Sequence, residues 1–225
     1  MSWKADQIYT KPNIDLINYL SAVDGFSDEL FLVNNLEGIR SEFTKNEIFS
    51  IQHNEHSHQK HTLPAEGFLV IKPKIYKTGY DINDDADYFW DKYQDNPIDK
   101  WAFIPEGNNS NLEFPMTISA SQRKLFSFLH KLNNQFEVPF VYYYCVMWGG
   151  EIEEEYAIIF DKEIKIYQYD YDAEKDFQLL DEKKIELDST ILQTALKYLD
   201  LDLPTYFFAL HESSFNWKKY HVKKG

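Results

Sequence analysis

From Pro139 onward the sequence changes period, and the stretch that follows constrains the fold more than any other. Phe140–Trp148, Glu155–Phe160 and Ile164–Tyr171 are runs of β-branched and aromatic residues separated by short polar or glycine-containing turns. Branched and ring side chains pack well on a pleated surface, so such runs favour strands. Connections as short as Asp161-Lys162-Glu163 join antiparallel neighbours, because a parallel crossover needs a dozen residues or more. The expectation is an antiparallel meander near residues 139–171.

Helical periodicity appears on both sides of that meander. Leu125, Phe126, Leu129, Leu132 and Phe136 form one apolar face, with Ser119 or Ser121 placed to cap it. Ile191, Leu192, Ala195, Leu196 and Leu199 form another within Ser189–Leu199, capped by Asp188 or Ser189. Ile14, Leu16, Ile17, Leu20 and Val23 make a third stripe, with Pro12 and Asn13 at its head. Shorter apolar runs predict strands at 29–36, 47–51, 67–77, 101–104 and 206–210, and acidic residues open a short helix at 84–93. Pro73 argues that the strand containing it lies at an edge or a bulge. Runs of strands with helices between them predict an α+β fold, an antiparallel sheet packed with a few amphipathic helices. One such domain is expected over 1–225, with any internal seam near 106–115.

Charge narrows the function classes. The chain has 37 acidic and 23 basic residues, a formal charge of −14. That field repels phosphate backbones and anionic bilayers, which argues against nucleic acid or membrane as partner, and it attracts basic proteins. The opening residues Met1-Ser2-Trp3-Lys4-Ala5-Asp6 lack the apolar core of a signal peptide, and Cys145 is the single cysteine, so a disulfide framework is excluded. The expected location is cytoplasmic.

Each candidate site requires a particular set of side chains for its chemistry. His53, His56, His58 and His61 cluster around Glu55, and imidazoles with a carboxylate can hold zinc, copper or nickel. Neither helical nor strand spacing gathers all four, and their neighbours are hydrophilic, so a solvated arm is the expectation. His211-Glu212 opens like a zincin motif, yet Phe215 stands where the second histidine belongs. Asp81–Asp85 and Asp170–Glu174 imitate calcium loops, but Ala86 and Lys175 occupy the glycine positions. Cys145 lies in an apolar run where a thiol keeps its proton. Neither His130 nor His221 has a sequence-near acid–base partner. No nucleophile elbow, phosphate loop or dinucleotide fingerprint is present, so no catalytic residue and no cofactor is assigned.

The feature that points to binding is Gly149-Gly150 followed by Glu151, Glu153, Glu154 and Glu155. Crowded carboxylates repel one another unless solvent or a cationic partner offsets the repulsion. Trp148, Tyr156 and Tyr169 are placed to anchor such a partner, with Tyr167 and Tyr171 as further aromatic neighbours. In general character the chain looks like the immunity proteins with which bacteria neutralise toxins, without a diagnostic motif. The expectation is therefore an acidic module that binds a basic protein, a toxin among the candidates. A carboxylate- or metal-dependent enzyme using the histidine cluster is the alternative, and a structural homo-oligomer a second.

Overall fold

The computed structural model describes residues 2–23, 25–34, 64–72, 120–149, 151–180, 183–201 and 217–222. These build strands β1 (Ser2–Thr10), β2 (Leu30–Val33), β3 (Phe68–Ile71), β4 (Phe140–Trp148), β5 (Glu151–Phe160), β6 (Ile164–Asp170), β7 (Lys175–Leu180) and β8 (Lys183–Glu186). The helices are α1 (Ile14–Ser21), α2 (Ala120–Phe136) and α3 (Ile191–Leu196), with 3₁₀ turns at Lys197–Leu199 and Trp217–Lys219. All strands join one sheet in the order β2-β3-β1-β4-β5-β6-β7-β8, each antiparallel to its neighbours. The fold is α+β. The expected elements at 47–51, 84–93, 101–104 and 206–210, and the seam at 106–115, lie outside the described residues.

The meander is longer than its apolar runs indicate. It continues through β7 and β8, whose half-exposed residues Lys175, Asp176, Gln178, Lys183 and Lys184 carry little hydrophobic signal. β1 was likewise not legible as a strand. It lies between β3 and β4, yet it carries Asp6 and Gln7. Both polar groups are satisfied locally: Tyr142 donates its hydroxyl to Asp6 Oδ1 (2.9 Å), and Tyr9 donates to Gln7 Oε1 (3.0 Å). A buried polar group with a partner avoids most of the desolvation cost, so a central strand can tolerate these residues.

Strand alternation divides the core between the two faces. On one face Ala5, Tyr9, Val70, Val141, Tyr143, Ala157, Ile159 and Tyr167 pack under α3, through Ile191, Leu192, Ala195 and Leu196. On the other, Ile8, Leu69, Tyr142, Ile158 and Phe160 pack under α1 and α2. Phe126 of α2 meets Tyr142 edge-on at 4.9 Å, and Tyr19 of α1 meets Phe136 at 5.6 Å. The apolar stripes fall as the periodicity predicts, with Phe128 added to α2 and Ile14 turned out to solvent. Asn13 caps α1 by accepting from the amides of Asp15 and Leu16. The cap of α3 is Thr190, not Asp188 or Ser189: its hydroxyl accepts from the Gln193 amide.

The C-terminal residues close one edge of the sheet. Leu32 donates its amide to the Tyr220 carbonyl, Val222 donates to that of Leu30, and Phe31 pairs with His221. Trp217 packs on Phe31 at 4.8 Å, and Lys72 sits over the Trp217 ring. Residues 217–222, with Lys218 and Lys219 among them, are thus docked on β2.

Candidate functional site: the acidic end of the sheet

An antiparallel meander returns alternate turns to the same end. The β4–β5 and β6–β7 turns therefore share one end of the sheet with the start of β1, where Ser2 lies opposite Trp148. The start of α3 lies there too, since Ile191 donates its amide to Asp176 at the head of β7. The β5–β6 and β7–β8 turns lie at the other end. Charge follows this division. The first end carries Glu151, Glu153, Glu154, Asp172, Glu174 and Asp188 against Lys175 and, by register, Lys4, whereas the second mixes Asp161 and Glu163 with Lys162 and Lys183, and Lys11 pairs there with Asp200.

A bulge in β5 sets which glutamates reach solvent. Cys145 pairs with Glu155 and Val146 with Glu154, but Met147 pairs with Ile152, so Glu153 is the extra residue. Strict alternation would put Glu151, Glu153 and Glu155 on one face. The extra residue changes the phase, so Ile152 packs against the core while Glu151 and Glu153 face solvent. Gly149 turns the chain with φ at +63°, a conformation that favours glycine.

Two rings project at this end. Trp148 is 61% exposed on the β4–β5 tip and Tyr171 is 60% exposed on the β6–β7 tip. Their strands are two places apart, a separation of roughly 10 Å by sheet spacing. Glu151, Glu153, Asp172 and Glu174 form no ion pair with the described residues. At the base of the β6–β7 tip, Lys184 pairs with Asp170 and Lys175 with Glu186.

Three of the expected anchor residues are placed differently. Glu155 is only 6% exposed, and its Oε1 accepts from Tyr143 over 2.8 Å. Burial, reinforced by the nearby Asp176 charge, pushes its carboxyl up to about 8 despite the opposing hydrogen bond from Tyr143. Asp176 is raised as well, by burial, against a lowering from the Ile191 amide. Tyr156 is buried and stacks on Tyr144 at 4.9 Å. Tyr169, opposite Asp176, is partly buried against the core. Exposed at this end are therefore Trp148, Glu151 and Glu153, with Glu154 partly exposed, beside Tyr171, Asp172 and Glu174 of the neighbouring tip. Buried Glu155 beside partly buried Asp176 has no counterpart in the sequence reading, although Glu155 is in phase with Ala157 and Ile159 on β5.

The remaining candidates among the described residues take structural places, while Asp81–Asp85 and His211–Phe215 lie outside the described residues. The Asp170–Glu174 segment forms a hairpin turn, with Asp170 accepting from the Ala173 amide and from Lys184. Cys145 is buried, and burial pushes its thiol far above the ordinary range. His130 is half-buried on α2, and His221 contacts the Asp28 carbonyl. His53, His56, His58 and His61 lie outside the described residues, and among those described no three histidine, cysteine or acidic residues gather to hold a metal. No described helix is long and apolar enough to cross a membrane. No protein-family model matches the chain, and no curated protein or solved structure matches it.

Proposed function

We propose that the acidic end of the sheet is a docking surface for a basic protein, and that the chain acts as an immunity-type neutraliser of such a partner, a basic toxin being the leading candidate. The observation that carries this reading is the placement of two hairpin tips at one end of the sheet, each with an exposed aromatic ring flanked by exposed carboxylates. The carboxylates steer a basic partner toward this end and raise its encounter rate. Trp148 and Tyr171 then supply apolar area at low rotamer cost, the property that makes such rings binding anchors. The two functions require no catalytic group.

The test is the affinity of the wild-type chain for its captured basic partner beside Trp148→Ala and Tyr171→Ala. Each truncation should weaken binding by about tenfold or more while the melting curve stays in place. Unchanged affinity in both variants would remove this end from the binding account.

A second reading rests on buried Glu155 and its partly buried neighbour Asp176. A carboxylic acid protonated near neutrality beside a second carboxylate has the form of a general acid, which supports a carboxylate-dependent enzyme. The Glu155 side chain is covered by its own core, and this favours the structural role over the catalytic one.

A further inference from the structure

The sheet has two edges, and they are treated differently. The β2 edge is closed by Tyr220–Val222. The β8 edge has no strand beyond it among the described residues, and all four of its residues are exposed. An open edge is a template for pairing with another chain.

The peptide groups available on β8 can be identified from the ladder. Leu187 donates its amide to Asp176 of β7, and pairing alternates along an antiparallel strand. Ile185 and Lys183 therefore direct their peptide groups toward β7, while those of Lys184 and Glu186 point away from the sheet. An incoming antiparallel strand must place its own outward-facing residues opposite these. For a second copy related by a two-fold axis, Lys184 and Glu186 permit three registers. Centring on residue 184 opposes two lysines, and centring on 186 opposes two glutamates. Centring on Ile185 opposes Lys184 with Glu186 of the other copy, twice.

We infer that β8 pairs with β8 of a second copy in this Ile185-centred register, joining the two sheets into one. Lys184 and Glu186 exchange backbone hydrogen bonds in both directions. Ile185, 45% exposed in the single chain, meets its counterpart on the opposite face. Lys184 already pairs with Asp170, and Glu186 with Lys175, so the new contacts complete an alternating row of charge from one copy to the next. Lysines on an edge ordinarily discourage self-pairing; here they exclude the like-charged registers and select one. The two-fold axis also directs the acidic ends of the copies in opposite directions, which limits their mutual repulsion. This pairing does not rest on the docking function proposed above.

Sedimentation of the full chain over a concentration series tests the pairing, together with cysteine cross-linking. Wild type should show a concentration-dependent dimer. Lys184→Glu should raise the dissociation constant by about tenfold or more, and Lys184→Glu with Glu186→Lys should restore it to within about threefold. The two Ile185 positions form a non-hydrogen-bonded pair, with Cα atoms about 4.5 Å apart, inside disulfide range. Ile185→Cys oxidised with diamide should therefore give a covalent dimer, and Lys183→Cys should not. Circular dichroism verifies that each variant is folded, and the cross-linking decides the matter where a charge variant is not. A monomer at every concentration to about 1 mM, or cross-linking at 183 in preference to 185, would overturn the inference.

Discussion

Tyr143 of β4 donates its hydroxyl to Glu155 of β5 over 2.8 Å, inside the face of the sheet that α3 covers. Glu155 stands in a row otherwise filled by Ala157 and Ile159, and its carboxyl is pushed up to about 8 by burial and by Asp176. At neutral pH the group is therefore mostly protonated, a neutral acid in an apolar layer.

The pH dependence of stability follows from this. The unfolded carboxyl titrates near 4.5 and the folded one near 8, so between those values the folded state holds more protons. Stability contributed by the neutral acid is fully present below about 4.5 and is lost as pH rises through about 8. The loss is on the order of a few kcal/mol. Urea unfolding between these limits should show Glu155→Gln nearly flat where wild type weakens. Asp176, also raised, leaves a residual slope toward acid pH. A Glu155→Gln profile parallel to wild type would contradict the assignment.

The N-terminus of α3 offers a sharper contrast. Thr190 accepts from the Gln193 amide, so Thr190→Ala should cost about 1 kcal/mol. Asp188 is exposed and makes no capping bond, so Asp188→Ala should change stability by less than about 0.5 kcal/mol. Denaturant midpoints at constant m-value separate the two, and equal losses would place the cap incorrectly.

Two glycines should differ for a steric reason. Gly67 adopts φ of +78°, and a Cβ there would lie 2.3 Å from the Val33 carbonyl oxygen, where β2 and β3 meet. Gly149 has φ of +63° but open space around it. Gly149→Ala should cost only the left-handed backbone penalty, about 1–2 kcal/mol. Gly67→Ala should cost more, since backbone must also move. Comparable melting temperatures for the two variants would contradict the close approach.

Much of the architecture is written in the residues themselves. The β4–β6 meander and the inward faces of α2 and α3 follow from apolar spacing, because those elements bury their stripes against the sheet. β1 escapes such a reading, since Asp6 is satisfied by Tyr142, which only the fold brings near, and Gln7 by Tyr9, its neighbour two residues on along the strand. β7 and β8 escape it because they are half-exposed and polar. The acidic turn was legible as charge, but the bulge at Glu153 was not, and it decides which glutamates face water. Asp172 and Glu174 reach the same end of the sheet through the meander, a relationship that sequence distance conceals.

The most direct test of the docking surface is capture of a basic partner from the source cells across a salt gradient. Wild type is compared with a variant carrying Glu151→Lys, Glu153→Lys, Asp172→Lys and Glu174→Lys. All four side chains are exposed, so the fold should survive the change. The account predicts that wild type holds one basic protein, that its grip weakens as salt rises, and that the folded variant captures none. Equal capture of that protein by the variant, or capture insensitive to salt, would contradict it.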